Sequence, residues 1–259
     1  MVLTNNTILI TGGTSGIGLE LATQLLLLGN TVIITGRNQA KLNEVKNKLP
    51  NLHTFQSDAS SPPDIKSLFE TLTKQFPKLN ILINNAGIMK KLNLHDISID
   101  LENINQEIAI NLSGPIRMVQ QFLPHLKTQK AAAIVNVSSG LAFVPFPISP
   151  VYSATKAGLH FYTQSLRIQL KNTNIKVFEL APPATKTNMQ NAFSAEDTKG
   201  TTMMGTSEMV KDAIKGITND TLEIRPGSSN LLKIMSRFAP GFILNQISKP
   251  VDSLLAQSK

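Results

Sequence analysis

The chain predicts a single α/β domain, residues 1–259, built on a doubly wound parallel sheet of about seven strands. Three observations carry this. Short β-branched runs alternate with longer helical patterns from one end to the other. The strand runs are apolar throughout rather than alternating, as a sheet covered on both faces requires. No repeat, low-complexity tract or Pro/Gly/Ser-rich linker divides the 259 residues, a length that one α/β domain of about 250 residues can reach.

In order, Thr7–Thr11 reads as a strand, followed by glycines and a helix over Ile17–Leu28. Thr31–Thr35 is the second strand, with Gln39–Leu49 helical behind it. Leu52–Gln56 is a third strand and Ile65–Gln75 a helix, before a fourth strand at Asn80–Ile83. A long helical pattern spans Ile99–Leu126 and is expected to kink at Gly114-Pro115. Ala133–Val137 is strand five, Val151–Leu170 a helix, Lys176–Leu180 strand six and Leu222–Ile224 a last short strand. In such sheets ligands bind beyond the carboxyl ends of the strands, which is where chemistry is sought.

Composition removes several function classes. With 41% hydrophobic and 16% charged residues, the chain has ample material for a core and is not disordered. No run approaches the roughly 18 uninterrupted apolar residues of a membrane span. The first residues show no basic stretch ahead of an apolar one, so no signal peptide is read and a cytoplasmic location is expected. The absence of cysteine excludes disulfides and thiolate chemistry. His53, His95, His125 and His160 are scattered without ligand spacing, so no metal site is expected. A net charge of +8 favours anionic partners, yet with 5% aromatics and no basic run, nucleic acid is not the partner read here. A phosphorylated small ligand accounts for the sign.

Directly after strand one comes Thr11-Gly12-Gly13-Thr14-Ser15-Gly16-Ile17-Gly18, and then the helix. Glycines at 12, 16 and 18 allow a tight turn, let backbone N–H groups reach a pyrophosphate and bring helix close to strand. Thr14, Ser15 and Ile17 fall in the same phosphate-facing segment. At the end of strand two, Gly36-Arg37-Asn38 carries a guanidinium and no carboxylate. Arg37 suits a ribose 2′-phosphate, so NADP(H) is expected over NAD(H).

Three further segments matter: Asn84-Asn85-Ala86-Gly87, Val137-Ser138-Ser139 and Tyr152-Ser153-Ala154-Thr155-Lys156. With the glycine turn, they resemble the short-chain dehydrogenase/reductase family in order, spacing and predicted context, over about residues 5–225. Tyr152 and Lys156, at i and i+4, share one helix face. A neighbouring ammonium is expected to lower the phenol's pKa, so that Tyr152 can exchange a proton with a carbonyl or alcohol oxygen as hydride moves. Ser139, at a strand end, could hydrogen-bond the same oxygen. The resemblance implies a Rossmann fold, Ser139 rather than Ser138 in that role, and Asn111 completing a proton relay through water to Lys156. It further implies cofactor contacts from Asp58 and Ala59, from Asn85, Ala86 and Gly87, and from Thr187, beside Tyr152 and Lys156 themselves. Pro182-Pro183 stands where the family usually has Pro-Gly, which removes a hinge and an amide donor. The motifs further resemble a bacterial subgroup, some members of which are encoded beside D-alanyl-lipoteichoic acid genes.

Ser153-Ala154-Thr155-Lys156 also matches the S-x-x-K of penicillin-recognising acyl hydrolases, but no S-D-N follows and the glycine turn would serve no purpose. A cofactor-binding sensor or scaffold without turnover stands as the alternative function. Residues 185–206 lie where the family keeps its substrate lid, and Met189, Phe193, Met203 and Met204 would suit a hydrophobic carbonyl compound or alcohol. The same residues serve equally well as packing. Residues 226–259 read as a helical extension. From Ile224 to Val251 there are four basic residues (Arg225, Lys233, Arg237, Lys249) and no acid, with Leu231, Leu232, Ile234, Met235 and Phe238 on an apolar helix face. Packing on the fold or a partner subunit is favoured over a membrane surface. The helices near 106–122 and 152–170 are, by the resemblance, the expected surfaces of a homodimer or homotetramer.

Overall fold

A computed structural model of the chain describes residues 1–194, 196–198 and 200–256. Positions 195 and 199 of the expected lid and 257–259 of the expected extension lie outside the described residues. Seven parallel strands, β1 (Thr7–Ile10), β2 (Thr31–Gly36), β3 (His53–Gln56), β4 (Leu79–Asn84), β5 (Ala132–Val137), β6 (Ile175–Leu180) and β7 (Glu223–Ile224), form one sheet in the order β3-β2-β1-β4-β5-β6-β7.

Alternate residues of each strand enter opposite cores. Ile8, Ile10, Val32, Ile34, Ile81 and Ile83 face α1 (Gly16–Leu27), α2 (Gln39–Lys48) and α7 (Thr206–Thr218). Leu9, Ile33, Leu82, Ile134 and Val177 face α3 (Pro62–Gln75), α5 (Gly114–Lys127) and α6 (Pro150–Gln169). Burial on both faces is why the strands are uniformly apolar. The chain runs outward from β1 to β3 and then crosses back to start β4 beside β1. The connections leaving β1 and β4 therefore run to opposite faces of the sheet, to α1 on one and to α5 on the other, which sets the switch point at their carboxyl ends.

The long helical pattern is divided. α4 (Leu101–Ile108) passes into a π turn at Ala109–Ser113 before α5 begins. The Gly114 N–H bonds the Ala109 carbonyl, five residues back. Pro115 has no N–H to give the Asn111 carbonyl, and its ring crowds that oxygen, so the turn ahead of it widens. The expected kink at Gly114-Pro115 is thus one turn earlier, and it carries Asn111.

Helix α7 is an addition to the elements expected; Met209, Val210, Ala213 and Ile217 are its buried stripe. The C-terminal segment forms α8 (Ser229–Phe238), α9 (Pro240–Ser248) and α10 (Val251–Ala256). Its apolar face packs in part on the fold. Leu232 and Met235 are half-buried, whereas Leu231, Ile234 and Phe238 are exposed, Phe238 by 84%. Two of the four basic residues are internal partners, because Lys233 and Arg225 both pair with Glu223, just outside the acid-free stretch.

Gly114 lets the start of α5 meet the loop after β3, since a Cβ there would lie 2.5 Å from the Ala59 carbonyl oxygen. Helix propensity alone favours alanine by about 1 kcal/mol. Gly114→Ala is nevertheless expected to lower the melting temperature by several degrees in a thermal scan; an increase would show that the loop yields freely.

Candidate functional site

Thr11, at the end of β1, is buried and accepts the N–H groups of Asn85 and Ala86 on its hydroxyl, both at 3.0 Å. The Asn85 side chain returns the tie, donating to the carbonyls of Thr11 at 2.9 Å and Gly12 at 3.0 Å. Gly12 has a φ of +67°, and a Cβ on Gly18 would lie 2.4 Å from both the Asn85 amide nitrogen and the Gly12 carbonyl oxygen. The glycines therefore permit three backbones to meet.

Behind this turn, the first turn of α1 has no acidic residue and no side-chain cap from Ser15. Its N–H groups and positive dipole end are left for an anion. Gly16 brings Thr187, from the loop after β6, to the same place, with a Cβ position 3.2 Å from the Thr187 methyl. Thr14 abuts Gly36 at the end of β2, where the exposed Arg37 follows. Among the described residues Arg37 makes no ion pair. Asn38 caps α2, its side chain accepting the Lys41 N–H at 3.0 Å. Asp58 Oδ1 accepts from the N–H and hydroxyl of Ser60 at 2.8 and 2.7 Å. The side chains of Asn38, Asp58 and Asn85 thus have local duties; Thr11, read from the sequence only as the end of strand one, is the hub that joins the two loops.

The second cluster lies at the ends of β4 and β5. Tyr152 and Lys156 are buried on α6. Lys156, 4% exposed, donates from Nζ to the Val137 carbonyl at 2.9 Å and sits 5.7 Å from the centre of the Tyr152 ring. The Ser139 side chain is near enough to the phenol to lower its pKa, and its oxygen accepts the Leu141 N–H at 3.1 Å. Asn111 is fully buried in the π turn. Its side chain holds Ile88 by both backbone groups, accepting at 2.9 Å and donating at 2.8 Å, and donates to Thr155 Oγ1 at 3.3 Å. Gly87 completes the cluster: a Cβ on it would stand 3.3 Å from Asn111 Oδ1 and 3.6 Å from Lys156 Nζ. Ser139, Tyr152, Lys156 and Asn111 are therefore brought together.

Electrostatics differ from the expectation in one respect. Burial pushes the Tyr152 phenol up to about 12; the Ser139 hydroxyl opposes this and the Glu107 carboxylate adds to it. Burial also pulls Lys156 down to about 8. The ammonium faces the Val137 carbonyl and the ring rather than the phenol oxygen, so within the chain alone desolvation outweighs attraction. Glu107, itself pushed up by burial, accepts the Lys90 N–H at 3.0 Å.

Described residues of the expected lid lie against this region. Thr185 bridges to Met204, and Lys186 N–H donates to the Met204 carbonyl at 3.0 Å. Lys91, in the loop after β4, donates to both oxygens of the buried Asp197 at 2.9 and 3.0 Å. Phe146 and Phe193 approach with ring centres 6.3 Å apart. Pro183 packs near Gly227, while the preceding Pro182 carbonyl accepts the Gly140 N–H at 2.8 Å, tying the loop after β6 to that after β5. A cavity of about 560 Å³ between Lys90, Lys91, Asn103, Glu107 and Val151 flanks the Tyr152 cluster.

Between pH 8 and 10.5 the unfolded chain holds a proton on Lys156 that the folded chain does not, so this group's contribution to stability rises with pH. Relative to Lys156→Met, the wild type is expected to gain about 2 to 3 kcal/mol between pH 7 and pH 10 in urea unfolding. A pH-independent difference would contradict the depressed ammonium.

A model of the short chain dehydrogenase family matches residues 6–198. An uncharacterized oxidoreductase of Bacillus subtilis, DltE, is 44% identical over 232 residues, covering 86% of this chain and 91% of the relative. An uncharacterized oxidoreductase of Staphylococcus aureus strain MW2, MW2403, is 32% identical over 200 residues, 76% of this chain and 86% of that protein. Two solved structures share the fold. One is a short-chain dehydrogenase/reductase of Burkholderia phymatum in complex with NAD (TM-score 0.83, 20% identity, covering 95% of this chain and 96% of that one). The other is a short-chain dehydrogenase of Burkholderia cenocepacia in complex with NADP (TM-score 0.82, 21% identity, covering 95% and 99%). With most of its length matched by that model and by the B. subtilis oxidoreductase, the chain belongs to the short-chain dehydrogenase family.

Proposed function

We propose that the protein transfers hydride between NADP(H) and a carbonyl/secondary-alcohol pair on a small-molecule substrate. The observation that carries this is the convergence of the buried Tyr152 phenol, Ser139, Lys156 and Asn111 at the ends of β4 and β5, with the glycine turn joined to the same loop by Thr11.

The residues fit a nicotinamide dinucleotide. The uncapped N-terminus of α1, with Gly12, Thr14, Ser15, Gly16, Ile17 and Gly18 around it, would take the pyrophosphate. Arg37, exposed beyond β2, would take a 2′-phosphate, which favours NADP(H). The remaining contacts in this reading come from Asn38, Asp58, Ala59, Asn85, Ala86, Gly87 and Thr187; for Asn38, Asp58 and Asn85 the side chains have local bonds, so their backbone groups are the better donors. When bound, the nicotinamide supplies or accepts the hydride.

Tyr152 gives its proton to the carbonyl oxygen in reduction and recovers it in oxidation. Ser139 holds that oxygen. Lys156 offers the positive charge that favours the phenolate left behind. Asn111 enters the relay through its main-chain carbonyl, since its side chain is spent on Ile88 and Pro115 supplies no N–H to that oxygen. Residues 185–206 act as the lid, with the Lys91–Asp197 pair as its tie. Phe161 and Ile168, exposed by 66% and 67% on α6, support association of this face with a second copy.

The test is absorbance of NADPH and NADH against a panel of ketones, aldehydes, quinones and ketosteroids. The wild type is expected to consume NADPH with at least one carbonyl, and Tyr152→Phe to lose about 100-fold or more in kcat. Arg37→Leu is expected to raise KM for NADPH about tenfold and leave NADH unchanged. Activity that survives the tyrosine change would overturn the assignment. Tight NADPH binding without turnover of any compound would favour a sensor or scaffold.

A further inference from the structure

Glu179 lies within β6 among Val177, Phe178 and Leu180 and is 0% exposed. An ionised carboxylate there costs several kcal/mol unless its oxygens are bonded, and an apolar residue would fill the position without that cost. Both oxygens are bonded. Oε1 accepts from the Ser138 hydroxyl at 2.5 Å, and Oε2 lies 2.8 Å from His160 Nδ1. The other ring nitrogen meets the Gln164 side chain at 2.8 Å, and Phe143 stands edge-on to the ring with centres 5.1 Å apart. Glu223 faces the same pair, with its own charge matched by Lys233 and Arg225.

The position of this chain of bonds gives it a purpose. Ser138 stands between Val137, whose carbonyl holds Lys156, and Ser139, whose hydroxyl meets Tyr152. His160 follows Lys156 by one turn of α6 and Tyr152 by two. The end of β5 is therefore tied to α6 directly by Lys156, a second time by the Asn136 side chain, which donates to Thr163 Oγ1 at 2.9 Å, and a third time through Ser138, Glu179 and His160. Lys156 and Asn136 hold the strand up to Val137, and the Ser138 N–H bonds the Leu180 carbonyl at 2.8 Å; the Glu179 bond adds a fixed side chain at Ser138, the residue that leads into Ser139.

We propose that Ser138, Glu179 and His160 are positioning residues, which lock the end of β5 against α6 so that Ser139 and Val137 hold Tyr152 and Lys156 in register. This rests on the reading of Tyr152, Ser139 and Lys156 as the reacting groups. None of the three touches the reacting oxygen; they act through Ser139 and Val137.

The chain has two tyrosines, Tyr152 and Tyr162, so labelling tyrosine with ¹³C at Cζ gives two NMR signals, which Tyr152→Phe assigns. Ser138→Ala removes the tie and leaves the Glu179–His160 pair in place. It is expected to shift the Tyr152 signal and leave Tyr162 unmoved. In the turnover assay it is expected to lower kcat about tenfold at constant KM for NADPH. Ser138→Thr, which restores a hydroxyl, is expected to return both readouts towards wild type. An unmoved Tyr152 signal in Ser138→Ala, or equal impairment in the alanine and threonine variants, would overturn the proposal. The NMR readout needs no turnover: a Tyr152 shift rescued by threonine supports the positioning even if no carbonyl is reduced, which would count against the catalytic reading alone.

Discussion

The bond from the buried Lys156 ammonium to the Val137 carbonyl is the constraint around which the site is arranged. It takes the backbone acceptor just beyond the sheet hydrogen bonds of β5 and joins it to the middle of α6. With that distance set, Tyr152, one turn earlier on the helix, has its phenol beside Ser139, two residues further along the strand. Asn111 closes the other side by gripping Ile88, so the loop after β4 cannot drift from the helix pair. The loop ends of β4 and β5 thus meet one helix face.

Such an arrangement is expensive in a protein interior. Lys156, Tyr152, Glu107 and Glu179 are all removed from water, and the shifts of the first three run in the direction that desolvation dictates. What sustains them is the sheet on either side, whose strands send alternate apolar residues into two continuous cores. The polar groups sit where those strands end, at the edge of the packed layers, and almost all have partners. Asn84 Oδ1 and Ser229 Oγ are the two buried side-chain atoms without a partner among the described residues.

The strands were legible because burial on both faces leaves no polar punctuation inside them, and the glycine turn because backbone contact tolerates no side chain. Tyr152 and Lys156 were legible because helical spacing is local. Contacts between elements were not. Nothing near Thr11 announces that it will accept two N–H groups from residues 85 and 86, and Glu179 reads as one acid in an apolar strand until His160 and Ser138 are brought against it. The direction of the Tyr152 shift also escaped, because spacing reports the neighbouring charge but not the loss of water. The π turn was displaced by one turn from the expected kink because a proline disturbs the carbonyl four residues before it, not its own position. Helix α7 had a readable stripe at 209, 210, 213 and 217, and lay beyond the motifs that drew attention.

In the proposed reaction a protonated phenol works beside an ammonium whose hold on its proton burial has weakened. The most direct test is the pH dependence of kcat/KM for NADPH-driven carbonyl reduction. With Tyr152 protonated up to about 12, it is Lys156 that loses its charge first, near 8. The profile should be level at neutral pH and fall about tenfold per unit well above pH 8. A profile that stays level to pH 10 would contradict it.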